Sequence, residues 1–261
     1  MLGVKSVERL HHICSSLDRG AFDPTGCVRN IATGEGSPAG SALQMQSYCL
    51  ARAMRAWFEY FDISEMKKWF YLSGKFQVIY LEIAPDKMNA FPRVMDFSQI
   101  LLSDCEPLIS RFCSFTEIYD SKRISSLTTL DYHAFNIILA ARGEMDLLAL
   151  RCEASRKNPP KSLGGKFIPD NLFLAALAEG DQGRMEEVLN GLVTPKIIRS
   201  RSGLEGGYTK DLISTSVVLY AKLAWRHGFN INVESALVPS EWMPISPLSY
   251  YDPTYECFVV D

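Results

Sequence analysis

Few residues in this chain stand where chemistry could begin. His11, His12 and Cys14 share the stretch "HHIC". A zinc site needs three or four ligands that converge, and adjacent histidines on a helix point apart. The stretch therefore reads as an exposed helical turn. "GEGSPAGS", residues 34–41, is glycine-rich ahead of a helix but lacks the Gly-Lys-Ser/Thr ending that grips a phosphate. No Gly-x-Ser-x-Gly elbow occurs. Of the four histidines, His133 falls at a helix start and His227 at a helix end. Either could act as a base, but no serine or cysteine context supplies a partner. "GDQGRMEE" offers Asp181, Glu186 and Glu187, which a turn ahead of a helix N-terminus explains without catalysis. "IIRSRSG" holds Arg199 and Arg201, too few cations to mark a phosphate or nucleic-acid site. No catalytic constellation, metal set or cofactor motif emerges, and the expectation is a protein that is not an enzyme and carries no cofactor.

The bulk numbers name no partner. The 261 residues are 47% hydrophobic and 22% charged, with a formal net charge of -3, so a sizeable core is expected without the basic footprint of a nucleic-acid binder. No apolar run approaches a membrane span, and the N-terminus lacks a secretory pattern. The seven scattered cysteines form no CxxC pair and read as reduced thiols, which predicts a cytoplasmic location.

The elements that would position any site are helices. Val7, Leu10, Ile13, Cys14 and Leu17 recur at helical spacing. Residues 18–41, with glycines and prolines and little periodicity, read as a loop, ending in Ser37 or Ser41 as a helix cap. Leu43, Gln46, Leu50, Met54, Trp57 and Phe61 trace the stripe of a long helix, and Asp62 or Ser64 caps a second. "QVIYLEI" leaves a strand open by its β-branched and aromatic content. Further helices are expected over 97–103, from Ser103 or Asp104 onward, over 134–141 and over 144–153. "RKNPPKSLGGKFIPD" is the clearest linker, either a subdomain division near 155–169 or one surface loop within a single helical domain. "FNIILAARGEMDLLAL" and "LFLAALAEGDQGRMEEVL" share a rhythm at an offset near 37, as stacked helical hairpins do. A basic, glycine-rich loop follows, then a helix capped by Asp211 or Thr209 and closed by His227-Gly228. The chain ends in "VPSEWMPISPLSYYDPTYECF", an irregular proline and aromatic strap. Mostly α, with stacked antiparallel hairpins and this strap, is the expected architecture.

The C-terminal half resembles bacterial polymorphic-toxin immunity proteins of the immunity protein 49 type. The residues that carry the resemblance are the hairpin Ala176 to Asp181, the late helix with Ala221-Lys222-Leu223-Ala224, the turn at Gly228, and a tail with Pro239, Glu241, Pro244, Pro247, Leu248 and Tyr250 or Tyr251. It extends over residues 42–258 and is clearest toward the C-terminus. The resemblance implies a helical protein that binds a cognate toxin and neutralises it by occlusion, and it brings no binding residue with it. Loop position and residue type make Glu205, Tyr208, Asp211, Trp242, Tyr250, Tyr251 and Asp252 the candidate contacts, aromatics as anchors and acids facing a basic toxin. The competing readings are a helical-repeat scaffold or regulator that binds a host protein or peptide, and an enzyme using His133 or His227. The sequence names neither the toxin nor an oligomeric state. The strap itself reads as a terminal cap, with Trp242, Leu248, Tyr255 and Phe258 lying across the hairpins.

Overall fold

The computed structural model describes residues 3–20, 22–85, 90–161 and 163–252. Among them are thirteen α-helices and no strand. The helices are α1 (Val4–Asp18), α2 (Pro24–Thr33), α3 (Pro38–Phe58), α4 (Ile63–Ile83), α5 (Ala90–Leu102), α6 (Glu106–Cys113), α7 (Ser121–Ser125), α8 (Leu130–Arg142), α9 (Met145–Lys157), α10 (Ile168–Glu179), α11 (Gln182–Leu192), α12 (Pro195–Ser200) and α13 (Thr215–Arg226).

The two longest helices, α3 and α4, form an antiparallel hairpin that is the spine of the molecule. The side chain of Ser37 caps α3 by accepting from the Gly40 N–H, and Asp62 caps α4 by accepting from the Glu65 N–H. Both are caps anticipated from sequence. The strand left open at "QVIYLEI" is instead the last two turns of α4. Its β-branched residues are absorbed because Phe76, Val78 and Leu81 bury against neighbours, and packing overrides a weak local preference. Gly74 lets α5 approach α4: a Cβ there would stand 2.6 Å from Ile100 Cγ1.

Two expected loops contain helices. Within residues 18–41, Asp23 accepts from the Gly26 N–H, Pro24 opens α2, and Gly34 closes it at φ 76°. That is a complete start and stop signal around a helix too short to show periodicity. Likewise "PKIIRS" forms α12, with Pro195 in its first turn.

The α8–α9 and α10–α11 pairs are helical hairpins with a shared corner. Gly143 at φ 74° and Gly180 at φ 72° take the left-handed position. The next residue's N–H returns to the preceding helix, Glu144 to Leu139 O at 3.0 Å and Asp181 to Ala176 O at 2.9 Å. Helix α9 packs on α10 across residues 158–167. Helix α13 packs on α5 and α11, and α5 also meets α4 and α8, so the hairpins share one buried interior. The strap runs from Val238 along α13 toward α4. Its Pro253, Tyr255, Cys257 and Phe258 lie outside the described residues.

Candidate partner-binding site

The sequence candidates fall into two groups, one ahead of α13 and one in the strap. Glu205, Tyr208 and Asp211 belong to the turns ahead of α13. Glu205 sits at the start of that helix, where its carboxylate accepts from the Thr215 N–H at 2.8 Å and the Thr215 hydroxyl at 2.6 Å. Burial raises its pKa. The expected cap, Asp211 or Thr209, is not the one used, because Thr215 begins the helix and only Glu205 reaches its first N–H. Asp211 is held at φ 65° with its carbonyl accepting from Ser6 Oγ at 2.7 Å and its carboxylate 4.0 Å from Arg9. Glu205 and Asp211 line a cleft of about 540 Å³ beside the start of α1. Half-buried Tyr208 lines another, of about 360 Å³, with Phe22, Leu43, Tyr48 and Ala51.

The strap supplies the second group. Trp242 is fully buried, its ring 5.9 Å from Trp57, 6.1 Å from Phe58 and 5.7 Å from Phe70 in edge-to-face contacts. Tyr251 is a fastener. Its hydroxyl donates to Ser103 O at 2.7 Å and accepts from the Leu248 N–H at 2.9 Å, and its ring lies 4.8 Å from Tyr71. Tyr250 faces outward, 68% exposed, and Asp252 is half-buried. With Glu65, Lys68, Trp69, Tyr71 and Leu72 of α4, the run Tyr250–Asp252 lines an apolar cleft of about 330 Å³.

What aims this group is a buried charge cluster. Lys222 Nζ donates to the carbonyls of Trp242 at 2.9 Å, Pro244 at 3.1 Å and Met243 at 3.2 Å, and stands 2.8 Å from Asp104 Oδ1. Lys67 Nζ reaches Asp104 Oδ2 at 2.7 Å and Ser246 O at 2.5 Å. The Ser246 N–H closes the ring on Asp104 Oδ2 at 3.1 Å. Burial beside Lys67 and Arg226, partly offset by Asp104, lowers the Lys222 pKa to about 8. Neither lysine was among the sequence candidates. The available signal was a cation inside an apolar run, "VVLYAKLAW" for Lys222, where a solvated lysine has no place.

The histidines are structural in their contacts. His133 is buried, with Nε2 2.7 Å from the Tyr220 hydroxyl and Nδ1 3.4 Å from Asn171 Oδ1, and burial lowers its pKa. Tyr220 donates to Asp170 Oδ1 at 2.8 Å, and Arg201 clasps Asp170 with both terminal nitrogens. Arg201 is thus spent inside the fold, while Arg199 is exposed. His227 Nε2 lies 2.8 Å from Ala140 O. Among the described residues no group of three His, Cys, Asp or Glu could hold a metal ion, and no helix is long and apolar enough to cross a membrane.

These contacts explain why the resembling motifs belong together: Lys222 of the "AKLA" helix is the receptor for the carbonyls of the tail. No curated protein and no solved structure matches the chain. A family model does, over residues 136–242, and its description is immunity protein 49. The match is narrower than the span of the resemblance, beginning within α8 and stopping at Trp242. From α8 to the first turn of the strap, this chain is similar to the immunity protein 49 family.

Proposed function

We propose that this protein binds a cognate bacterial toxin in the cytoplasm and neutralises it by direct occlusion, without turnover. The observation that carries the reading is the match of residues 136–242 to a family of toxin-neutralising immunity proteins. The buried state of His133 supports binding over catalysis, and Arg201, which borders the cleft of about 540 Å³, has both terminal nitrogens on Asp170.

The contact surface we assign is the α4–strap cleft. Tyr250 offers an exposed aromatic anchor and Asp252 a carboxylate beside it, both on a backbone fixed by Lys67, Lys222 and Tyr251. A rigid presentation of this kind loses little conformational freedom on binding. Tyr208 and Asp211 provide a second contact. Glu205, Trp242 and Tyr251 act behind the surface, holding α13 and the strap in place.

Co-expression with each candidate toxin encoded in the gene's neighbourhood tests the reading. The expected result is protection of the cells and co-purification of the pair. Tyr250→Ala and Asp252→Ala should each weaken the complex about tenfold while leaving the melting temperature unchanged. Absence of both protection and co-purification by the unaltered protein would remove the proposal.

A further inference from the structure

The α3–α4 corner places a bulky aromatic where the other described left-handed residues are glycines or aspartates. Where α2, α8, α10 and α13 turn, the left-handed residue is a glycine: Gly34, Gly143, Gly180 and Gly228, at φ between 72° and 85°. At the end of α3 it is Phe61, at φ 55°. The corner is fixed by the Phe61 N–H on Trp57 O at 2.9 Å and the Asp62 N–H on Ala56 O at 3.0 Å. A phenylalanine in this region is a steric outlier that glycine would relieve. Burial offsets little of that cost, because the side chain is 74% exposed.

The exposed ring has a firm base. Phe61 meets Trp57 edge-on at 6.1 Å, and Trp57 meets the fully buried Trp242 at 5.9 Å. Tyr60, 59% exposed, stands beside it with the Arg55 guanidinium 5.5 Å from its ring centre. Two neighbouring aromatics thus project from a rigid corner. Around them acids outnumber bases by one, Asp18, Glu59, Asp62 and Glu65 against Arg19, Arg55 and Lys68. Arg55 is shared between Asp18 and Glu59, at 2.7 Å and 2.5 Å, and Lys68 is engaged with Glu65 at 3.2 Å. Arg19 folds back on Ser15 O of its own helix. Exposed Asp62, next to Phe61, caps α4 through the Glu65 N–H and pairs with no cation among the described residues. Glu65 and Lys68 also line the α4–strap cleft, so the corner and the cleft are continuous along α4.

We infer that the Tyr60–Phe61 corner is the principal anchor for the toxin, and that it docks on a basic face of that protein, with Phe61 filling an apolar recess and Asp62, Glu59 and Asp18 meeting the cations around it. Strain at an exposed aromatic is then the signature of function rather than of folding. This inference deepens the proposed function and rests on it.

The probe is the purified toxin identified by that co-expression, inactivated by substitution and titrated against the unaltered protein and its variants. Phe61→Gly removes both ring and strain. It should melt at or above the unaltered protein and bind the toxin at least about tenfold more weakly. Phe61→Asn, which also tolerates the left-handed region, should behave alike. Binding of the unaltered protein should weaken with added salt. If Phe61→Gly melts lower, the ring is a packing group and the inference falls. It also falls if Phe61→Gly binds as before, or if the substitution abolishes self-association while sparing the toxin complex. Where Phe61→Gly is silent but Tyr250→Ala weakens the complex, the proposed function stands without this anchor. Where the unaltered protein neither binds nor protects, the proposed function has failed first.

Discussion

Lys67, Asp104 and Lys222 put two cations and one anion into a space that is 4% exposed at most. The arrangement holds because the surplus cation donates to backbone: four strap carbonyls receive the two ammonium groups. Removing the anion alone should be costly. Asp104→Asn keeps the size and suits φ 55°, yet leaves two unpaired buried cations, and about 3 kcal/mol of unfolding free energy should be lost in chemical denaturation. A variant as stable as the unaltered protein would show that the lysines hold the strap without it. The Lys222 shift, from 10.5 to about 8, also sets a pH dependence. Its folded pKa lies below its unfolded value, so the unfolded chain binds the extra proton between those limits. The group's contribution to stability is therefore greatest above 10.5 and is lost as pH falls to about 8, a span of about 3 kcal/mol. Subtracting the stability–pH curve of Lys222→Met from that of the unaltered protein should isolate a rise over this window; a flat difference would exclude the shift.

At the scale of elements, the strap behaves as a cap. Trp242 fills the space between α3 and α4, Met243 and Val238 bury with it, and Tyr251 ties the far end to the α5–α6 turn. Deleting residues 238–261 should lower the melting temperature markedly, and Trp242→Ala alone should cost about 3–5 kcal/mol. A truncated chain that melts unchanged and loses only its partner would make the strap a binding arm instead. How much of this was legible depended on the range of the interaction. Ser37, Asp62 and Asp181 declared themselves as caps because a cap is a bond within four residues. The hairpin corners declared themselves through glycine. Helix α2 hid because ten residues, only one of them fully buried, show too little apolar stripe. The strap's inward turn was readable from Trp242 and the prolines. Its fastening was not, because Lys67 and Ser246 stand 179 residues apart and no local pattern announces their contact. The candidate contacts divided on the same ground: exposure of Tyr250 and engagement of Glu205 with Thr215 are tertiary facts.

For the whole molecule, the question is whether the linker at 155–169 separates independent bodies. Several ties cross it. Helix α9 packs on α10, and Asn171 of α10 donates to Ser155 Oγ of α9 at 3.4 Å. Farther off, His133 of α8 meets Tyr220 of α13, Arg226 of α13 pairs with Glu106 of α6, and the strap binds α13 to α4. With the N-terminal helices and the segment from α8 onward joined at so many buried points, neither can open without stripping charged groups of their partners. We therefore expect one cooperative transition. In calorimetry the van't Hoff and calorimetric enthalpies should agree, and far-ultraviolet ellipticity and tryptophan fluorescence should give the same midpoint. The four tryptophans suit the comparison, since Trp57, Trp69 and Trp242 report on the α3–α4–strap junction and Trp225 on α13, where its Nε1 donates to Ile231 O at 3.1 Å. Two separated midpoints, with Trp225 signal changing apart from the rest, would place a boundary at the linker after all.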